Sequence, residues 1–207
     1  MKASVAEIPQ VTLQGVALAD AWLAQRARPG GGSVSVTSLL VHTVARVLTD
    51  EPRVNGWRVD DEVRIAKPVH VGVAVAVDGG LVVPVIRDAN ELSVDEVAAS
   101  LRELAHKARS GGLSANDLAD ATFSVSSLAG YRVEHFDPIV NPPQLAILGV
   151  GAVTPRVVLQ NGSPIERSFL PLSLTFDHAA VDGAVAGEFL QRLVGSIESP
   201  TGQDGRR

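Results

Sequence analysis

The chain predicts an α/β fold in which one mixed sheet is covered by helices. Short runs rich in Val, Leu and Ile, with strand-like length and alternation, recur along it. Between them lie stretches whose apolar residues fall at helical spacing, and capping or breaking residues punctuate the junctions. The 207 residues are enough to bury a substantial core as one unit. Apolar residues make up 45% of the chain and aromatic residues 4%. The core must therefore be built mainly from Val, Leu, Ile and Ala.

Taken in order, Val11–Ala17 reads as a first strand and Leu18–Arg28 as a short helix. Pro29–Ser33, with three glycines, is expected to be a flexible loop. Thr37 is the expected N-cap of a helix running through Leu48, with Leu40, Val44, Val47 and Leu48 on one stripe and Pro52 just beyond its end. Val69–Val77 and Leu81–Ile86 flank Asp78-Gly79-Gly80 and predict a hairpin, with Pro84 requiring an edge position or a break. Ser93 caps a helix from Val94 to Arg109, which Ser110-Gly111-Gly112 ends, and Ser114 starts a short helical turn. Three more strands are predicted at Ala121–Ser126, Leu145–Val150 and Ser168–Phe176, and a final helix covers Ala184–Leu193. Residues 1–197 read as one domain, and the polar 198–207 tail is expected to be disordered.

Composition narrows the function. The chain has no cysteine, hence no disulfide, thiolate metal site or cysteine nucleophile. Its five histidines, at 42, 70, 106, 135 and 178, lack the paired spacing of a zinc site, so no metal is expected. A net charge of −5 gives no electrostatic reason to expect nucleic acid, and no apolar run approaches a membrane span. A cytoplasmic enzyme is the expectation.

The chemistry concentrates near the C-terminus, where Leu172–Phe176 runs through Asp177 into His178 and Asp182-Gly183. An imidazole at a strand end can be held rigidly and partly desolvated, as a general base near neutral pH requires. Asp182 stands where the N-cap of the last helix belongs. On residue types alone, a satisfied core histidine and a simple cap are the favoured explanation of the pattern. Ser126 likewise reads either as a polar strand end or as a hydroxyl aimed at chemistry. No Gly-x-Ser-x-Gly elbow exists to make a nucleophilic serine.

His178-Ala-Ala-Val-Asp182-Gly183 resembles the His-x-x-x-Asp-Gly signature of two related groups. These are the catalytic domains of dihydrolipoyl acyltransferases from 2-oxoacid dehydrogenase complexes, and chloramphenicol acetyltransferase. His70–Val77, Gly80–Ala89, Thr122–Gly130 and Phe136–Gly149 resemble the dihydrolipoyl group specifically and occur in its order, so the resemblance covers about Ile8 to Ile197. It implies a chloramphenicol acetyltransferase-like two-layer sandwich. It also implies transfer of an acyl group between the thiols of coenzyme A and dihydrolipoamide. His178 would be the general base, Ser126 the donor to the tetrahedral oxyanion, and Asp182 an aid in ordering the backbone around His178. Coenzyme A would be a substrate, and the lipoyl group would come from another domain or protein.

The same resemblance implies a homotrimer, with His178 of one chain meeting Ser126 of the next, and association with other 2-oxoacid dehydrogenase subunits. The polar C-terminus lacks the apolar tail by which related trimers build larger hollow cores, so trimers alone are expected. Ala179 stands where the family usually has arginine, the helix before Ile8-Pro9 looks short, and no lipoyl or subunit-binding module is visible. Two rival readings follow: a non-catalytic trimeric scaffold of the same fold, or a chloramphenicol acetyltransferase-like enzyme acting on a small molecule. The presence of His178, Ser126 and Asp182-Gly183 together argues against the scaffold, and the Gly80–Ala89 and Asn141–Gln144 segments favour the dihydrolipoyl group.

Overall fold

The computed structural model describes residues 2–27, 33–60 and 62–200. Alternating apolar segments pair into a seven-stranded mixed sheet in the order β1-β11-β9-β8-β4-β7, with β10 joined to the outer half of β11. These strands are β1 (Gln10–Leu18), β4 (Val71–Val73), β7 (Val85–Ile86), β8 (Phe123–Ser127), β9 (Ala146–Val150), β10 (Thr154–Gln160) and β11 (Ser163–Asp177). Two hairpins stand apart, β2 (Gly56–Val59) with β3 (Glu62–Ile65), and β5 (Val75–Val77) with β6 (Gly80–Val82). The helices are α1 (Lys2–Glu7), α2 (Asp20–Ala24), α3 (Val36–Asp50), α4 (Val94–Ser110) and α5 (Gly183–Glu198).

Strand pairing gives the two faces of the sheet opposite characters. Leu172, Leu174 and Phe176 of β11, Leu148 and Val150 of β9, and Phe123 and Val125 of β8 point into the core under α3 and α5. Phe123 meets Phe189 of α5 with ring centroids 5.6 Å apart, and Gly15 of β1 leaves room for Leu190. The intervening residues make a face that is small and polar apart from Ile147: Thr12 and Gln14, then Ser173 and Thr175, then Ile147 and Gly149, then Ser124 and Ser126. Thr12 and Thr175 share a 2.8 Å hydroxyl contact across that face. Ser173 and Thr175 are nevertheless buried.

Several expected boundaries shift. The first strand extends to Leu18, and the helix after it shrinks to Asp20–Ala24, because Leu18 still pairs with Phe169 and Asp20 turns the chain. The Asp20 carboxylate accepts Arg167 Nε at 2.8 Å and the Ser168 amide at 3.0 Å. Arg167 holds its titration below the usual carboxylate range. The cap of α3 is Ser35, whose hydroxyl accepts the Ser38 amide at 2.9 Å. Thr37 lies inside the helix, and its hydroxyl reaches Ser127 at 3.4 Å. The predicted 69–86 hairpin divides between two sheets: β5 and β6 pair with each other, while β4 and β7 join the main sheet, with the break at Pro84 and β7 on the edge. Ser93 caps α4 as expected, in a reciprocal capping box with Glu96, and Gly111 ends it at φ 71°. The turn after Ser114 is a 3-10 turn over Asn116–Leu118. The β2–β3 hairpin, β10 and the first five residues of β11 were not anticipated. The glycine loop falls almost wholly, and the C-terminal tail mostly, outside the described residues.

Glu51 ties the end of α3 to α5. It is 5% exposed, accepts Arg53 Nε at 2.5 Å and lies 3.6 Å from Arg192 of α5, while Arg53 also pairs with Glu188. The Arg53 hydrogen bond holds Glu51 below its ordinary value of 4.5, outweighing the opposing effect of burial. A carboxylate lowered on folding stabilises the fold above its unfolded value and ceases to do so as pH falls through its folded value. Glu51→Gln is expected to cost about 1–2 kcal/mol in urea unfolding at pH 7. The gap from the native chain should close as pH drops below 4.5.

Candidate active site

His178 follows the last residue of β11, and its backbone is fixed on both sides. Its own amide donates to Pro9 O at 2.9 Å. The next amide, of Ala179, donates to Asp177 Oδ1 at 3.0 Å, and Ala180 and Val181 both donate to Asp177 O. This closes a short turn that delivers the chain to α5. The imidazole packs obliquely on Phe176, with centroids 5.5 Å apart, and is exposed on this chain. The partial desolvation expected for it is therefore not supplied by the strand end of a single chain.

Asp182 occupies the N-cap position of α5 with extended backbone (φ −72°, ψ 151°), and its carbonyl accepts the Ala186 amide. Its carboxylate is exposed and makes no capping hydrogen bond. The acid that orders the backbone at His178 is Asp177, missed in the sequence. Its side chain is 1% exposed, and its Oδ2 accepts Arg58 Nε of β2 at 2.5 Å. The one available signal was strand parity, which puts residue 177 on the face shared with Ser173 and Thr175.

Ser126 lies near the C-terminal end of β8, half-buried, and no hydrogen bond ties its hydroxyl to the described residues. Its register partner is Gly149, which pairs in turn with Ser173. Because β8 and β9 are parallel while β11 runs against them, Ser126 and His178 stand at opposite ends of the sheet. They are two strands and five residues apart in register, about 20 Å at ordinary strand dimensions. Within one chain they cannot act on the same carbonyl.

Residues 128–145 cover the polar face beside Ser126. Gly149 admits Phe136 and Pro138, since a Cβ there would lie 3.1 and 3.0 Å from them. Gln144 accepts the buried Ser124 hydroxyl at 2.7 Å, and Val140 is held by Ser4 and Gln10 of the N-terminal segment. Asn141, Pro142 and Pro143 are themselves exposed, with Pro143 O accepting the Arg58 amide at 2.8 Å. Trp22 packs in the core, 1% exposed and bonded to Thr43, while Trp57 is half-buried with its indole donating to Ala121 O. Among the described residues no group of three or more His, Cys, Asp or Glu could hold a metal, and no helix is long and apolar enough to cross a membrane.

The family model of 2-oxoacid dehydrogenases acyltransferase (catalytic domain) matches residues 1–203. A Bacillus subtilis protein, the dihydrolipoyllysine-residue acetyltransferase component of an acetoin cleaving system, is 41% identical over 82% of the chain. The chain spans 43% of that relative's length. The structure superposes on the cubic core of a pyruvate dehydrogenase multienzyme complex with TM-score 0.90 at 35% identity, covering 96% of this chain and 85% of the other. It matches Azotobacter vinelandii dihydrolipoamide acetyltransferase equally well, at 34% identity over the same shares. That structure was solved to examine a serine, a histidine and an asparagine in the catalytic mechanism. Chloramphenicol acetyltransferase shares the fold alone, with TM-score 0.58 and 13% identity over 93% of this chain and 89% of the other. The expected two-layer sandwich is therefore present.

Gly151 sets how closely the covering segment approaches the sheet. A Cβ there would lie 1.7 Å from Glu134 O and 2.8 Å from Val133 O. Gly151→Ala is expected to cost about 1–3 kcal/mol by forcing that backbone away. Gly187→Ala on α5, where a Cβ meets nothing within 4 Å, should be neutral or slightly stabilising. Thermal melting of the two variants checks the contrast.

Proposed function

The chain belongs to the 2-oxoacid dehydrogenase acyltransferase catalytic-domain family, and from that premise we propose that it moves an acyl group between the thiols of coenzyme A and dihydrolipoamide. Residues 1–197 are taken as the catalytic domain. The observation that carries the reading is the placement of His178 and Ser126 at opposite ends of one sheet, each presented without its counterpart. Such an arrangement does chemistry when copies meet, His178 of one beside Ser126 of the next. A homotrimer closes three equivalent sites of this kind. The serine, histidine and asparagine of the Azotobacter structure are spaced 52 and 4 residues apart, as Ser126, His178 and Asp182 are here, which supports these three positions.

Neutral His178 removes the proton of the attacking thiol. The thiolate forms a new C–S bond at the thioester carbonyl, and the Ser126 hydroxyl donates to the oxyanion that results. The original C–S bond then breaks, and protonated His178 returns its proton to the departing thiolate. Thiols titrate near 8.5 and imidazole near 6.5, so the first transfer is modestly uphill. Holding the reactants in place must supply much of the rate. Asp182 contributes its backbone to the start of α5 and carries no proton in this scheme. The lipoyl group arrives on another domain or protein, with other 2-oxoacid dehydrogenase subunits as partners and the cytoplasm as the setting.

Acetyl-CoA-dependent acylation of free dihydrolipoamide tests this. His178→Ala is expected to lose about 10³-fold in turnover and Ser126→Ala about 10²–10³-fold. Co-assembled in equal amounts, the two inactive variants should regain about a quarter of native activity, because a random trimer places an intact His178 beside an intact Ser126 at that frequency. A mixture that stays inactive rejects the shared site. No turnover by the native trimer with acetyl, succinyl or branched donors rejects the acyl-transfer reading, leaving a scaffold or a different acceptor.

A further inference from the structure

We infer that Arg58 is a positioning residue for His178, acting through the buried carboxylate of Asp177; the inference rests on His178 being the base. Arg58 lies on β2, in a hairpin outside the main sheet, yet three segments around His178 converge on it. Its Nε meets Asp177 Oδ2 at 2.5 Å, its Nη2 reaches Glu7 O at 3.4 Å, and its amide donates to Pro143 O at 2.8 Å. Two of these segments hold the histidine directly. Asp177 supplies Oδ1 to the Ala179 amide, and Pro9, two residues after Glu7, accepts the amide of His178 itself.

The energetics favour a positional role over a general contribution to stability. The Asp177 side chain is 1% exposed and that of Arg58 20% exposed. A charge buried to that degree is tolerated only when paired and hydrogen-bonded, and its pairing yields little net stability over apolar packing. What the pair supplies is direction. With Oδ2 fixed by a planar guanidinium, the carboxylate can turn only one way, and Oδ1 faces the Ala179 amide. The next residue after Asp177 is then presented at one angle, with its ring on Phe176. Asp177 and the imidazole leave the strand on opposite faces, so the link runs through the backbone of the turn.

The test compares native protein with Arg58→Met, Arg58→Lys and Asp177→Asn, as assembled oligomers, by amide and histidine-ring NMR and by steady-state acyl transfer. In Arg58→Met the Ala179 amide proton should lose its carboxylate-bonded downfield shift, and the His178 ring signals should move. Turnover should fall about 10–100-fold, with KM for both thiol substrates within about twofold of native, as expected for a displaced base. Asp177→Asn should reproduce this loss, and the double variant should be no worse than either single one. Arg58→Lys, which keeps the charge without the fork, should fall between native and Arg58→Met. A folded Arg58→Met with native Ala179 and His178 signals, or with KM raised and kcat intact, overturns the inference. If Arg58→Met does not fold, Arg58→Lys decides by the same two readouts. If the native chain transfers no acyl group, the function proposed above fails, while the NMR signals still show whether Arg58 sets the turn.

Discussion

The alternation of β11 is the constraint from which the rest of the molecule follows. This fifteen-residue strand pairs with β1, β9 and β10, and its inner half is buried on both faces. A strand with a period of two cannot move by one residue without exchanging its faces. Leu172, Leu174 and Phe176 lock the register by packing under α5, which forces Ser173, Thr175 and Asp177 onto the opposite face. The same register sets Ser173 beside Gly149, the partner of Ser126 on β8, and brings Asp177 to the Arg58 guanidinium. His178 then emerges where the sheet ends. The apolar residues of one face thus determine where the polar residues of the other can do chemistry.

That second face explains the small side chains along it. Gly149 admits the Phe136 and Pro138 side chains and Gly151 the backbone at Glu134, and the Ser124 hydroxyl donates to Gln144 Oε1. Larger residues on this face would hold the covering segment away from the sheet. The Ser126 hydroxyl, by contrast, has no tie to the described residues, although neighbouring hydroxyls at Thr12, Ser124 and Thr175 are engaged. A half-buried hydroxyl left unengaged is available for a developing negative charge.

The sequence was most legible where local chemistry decides structure. Ser93 with Glu96, and Gly111 after the last turn, mark α4 at both ends because capping is written within a few residues. His178 and Ser126 were identified through motif resemblance, since neither residue type alone distinguishes a site from a strand end. The reading failed where long-range pairing overrides local signals. Leu18 stays in a strand because Phe169 lies opposite, and the 69–86 hairpin divides because β4 pairs with β8. The β10–β11 hairpin was within reach, since Asn161-Gly162, with φ of 51° and 79°, is a strong two-residue turn signal. Asp177 was assigned nothing because no pattern in one sequence reveals that a residue 119 positions earlier supplies its counter-charge.

The exposure of His178 connects the fold to the proposed reaction. A base that takes a thiol proton works best where water is excluded, because a dry site strengthens every interaction made with the developing charges. This chain supplies the rigid mount, with Pro9 and Asp177 fixing the backbone on either side, and leaves the ring open. It supplies the opposite arrangement at Ser126, which is half-buried and stands about 20 Å from His178. Neither end is a working site, and each lacks what the other end offers. In the proposed assembly, a second copy brought against the His178 end would contribute both the missing donor and the missing walls, making assembly and desolvation one event. Under that proposal, catalytic competence depends on the assembled state rather than on the fold of a single chain.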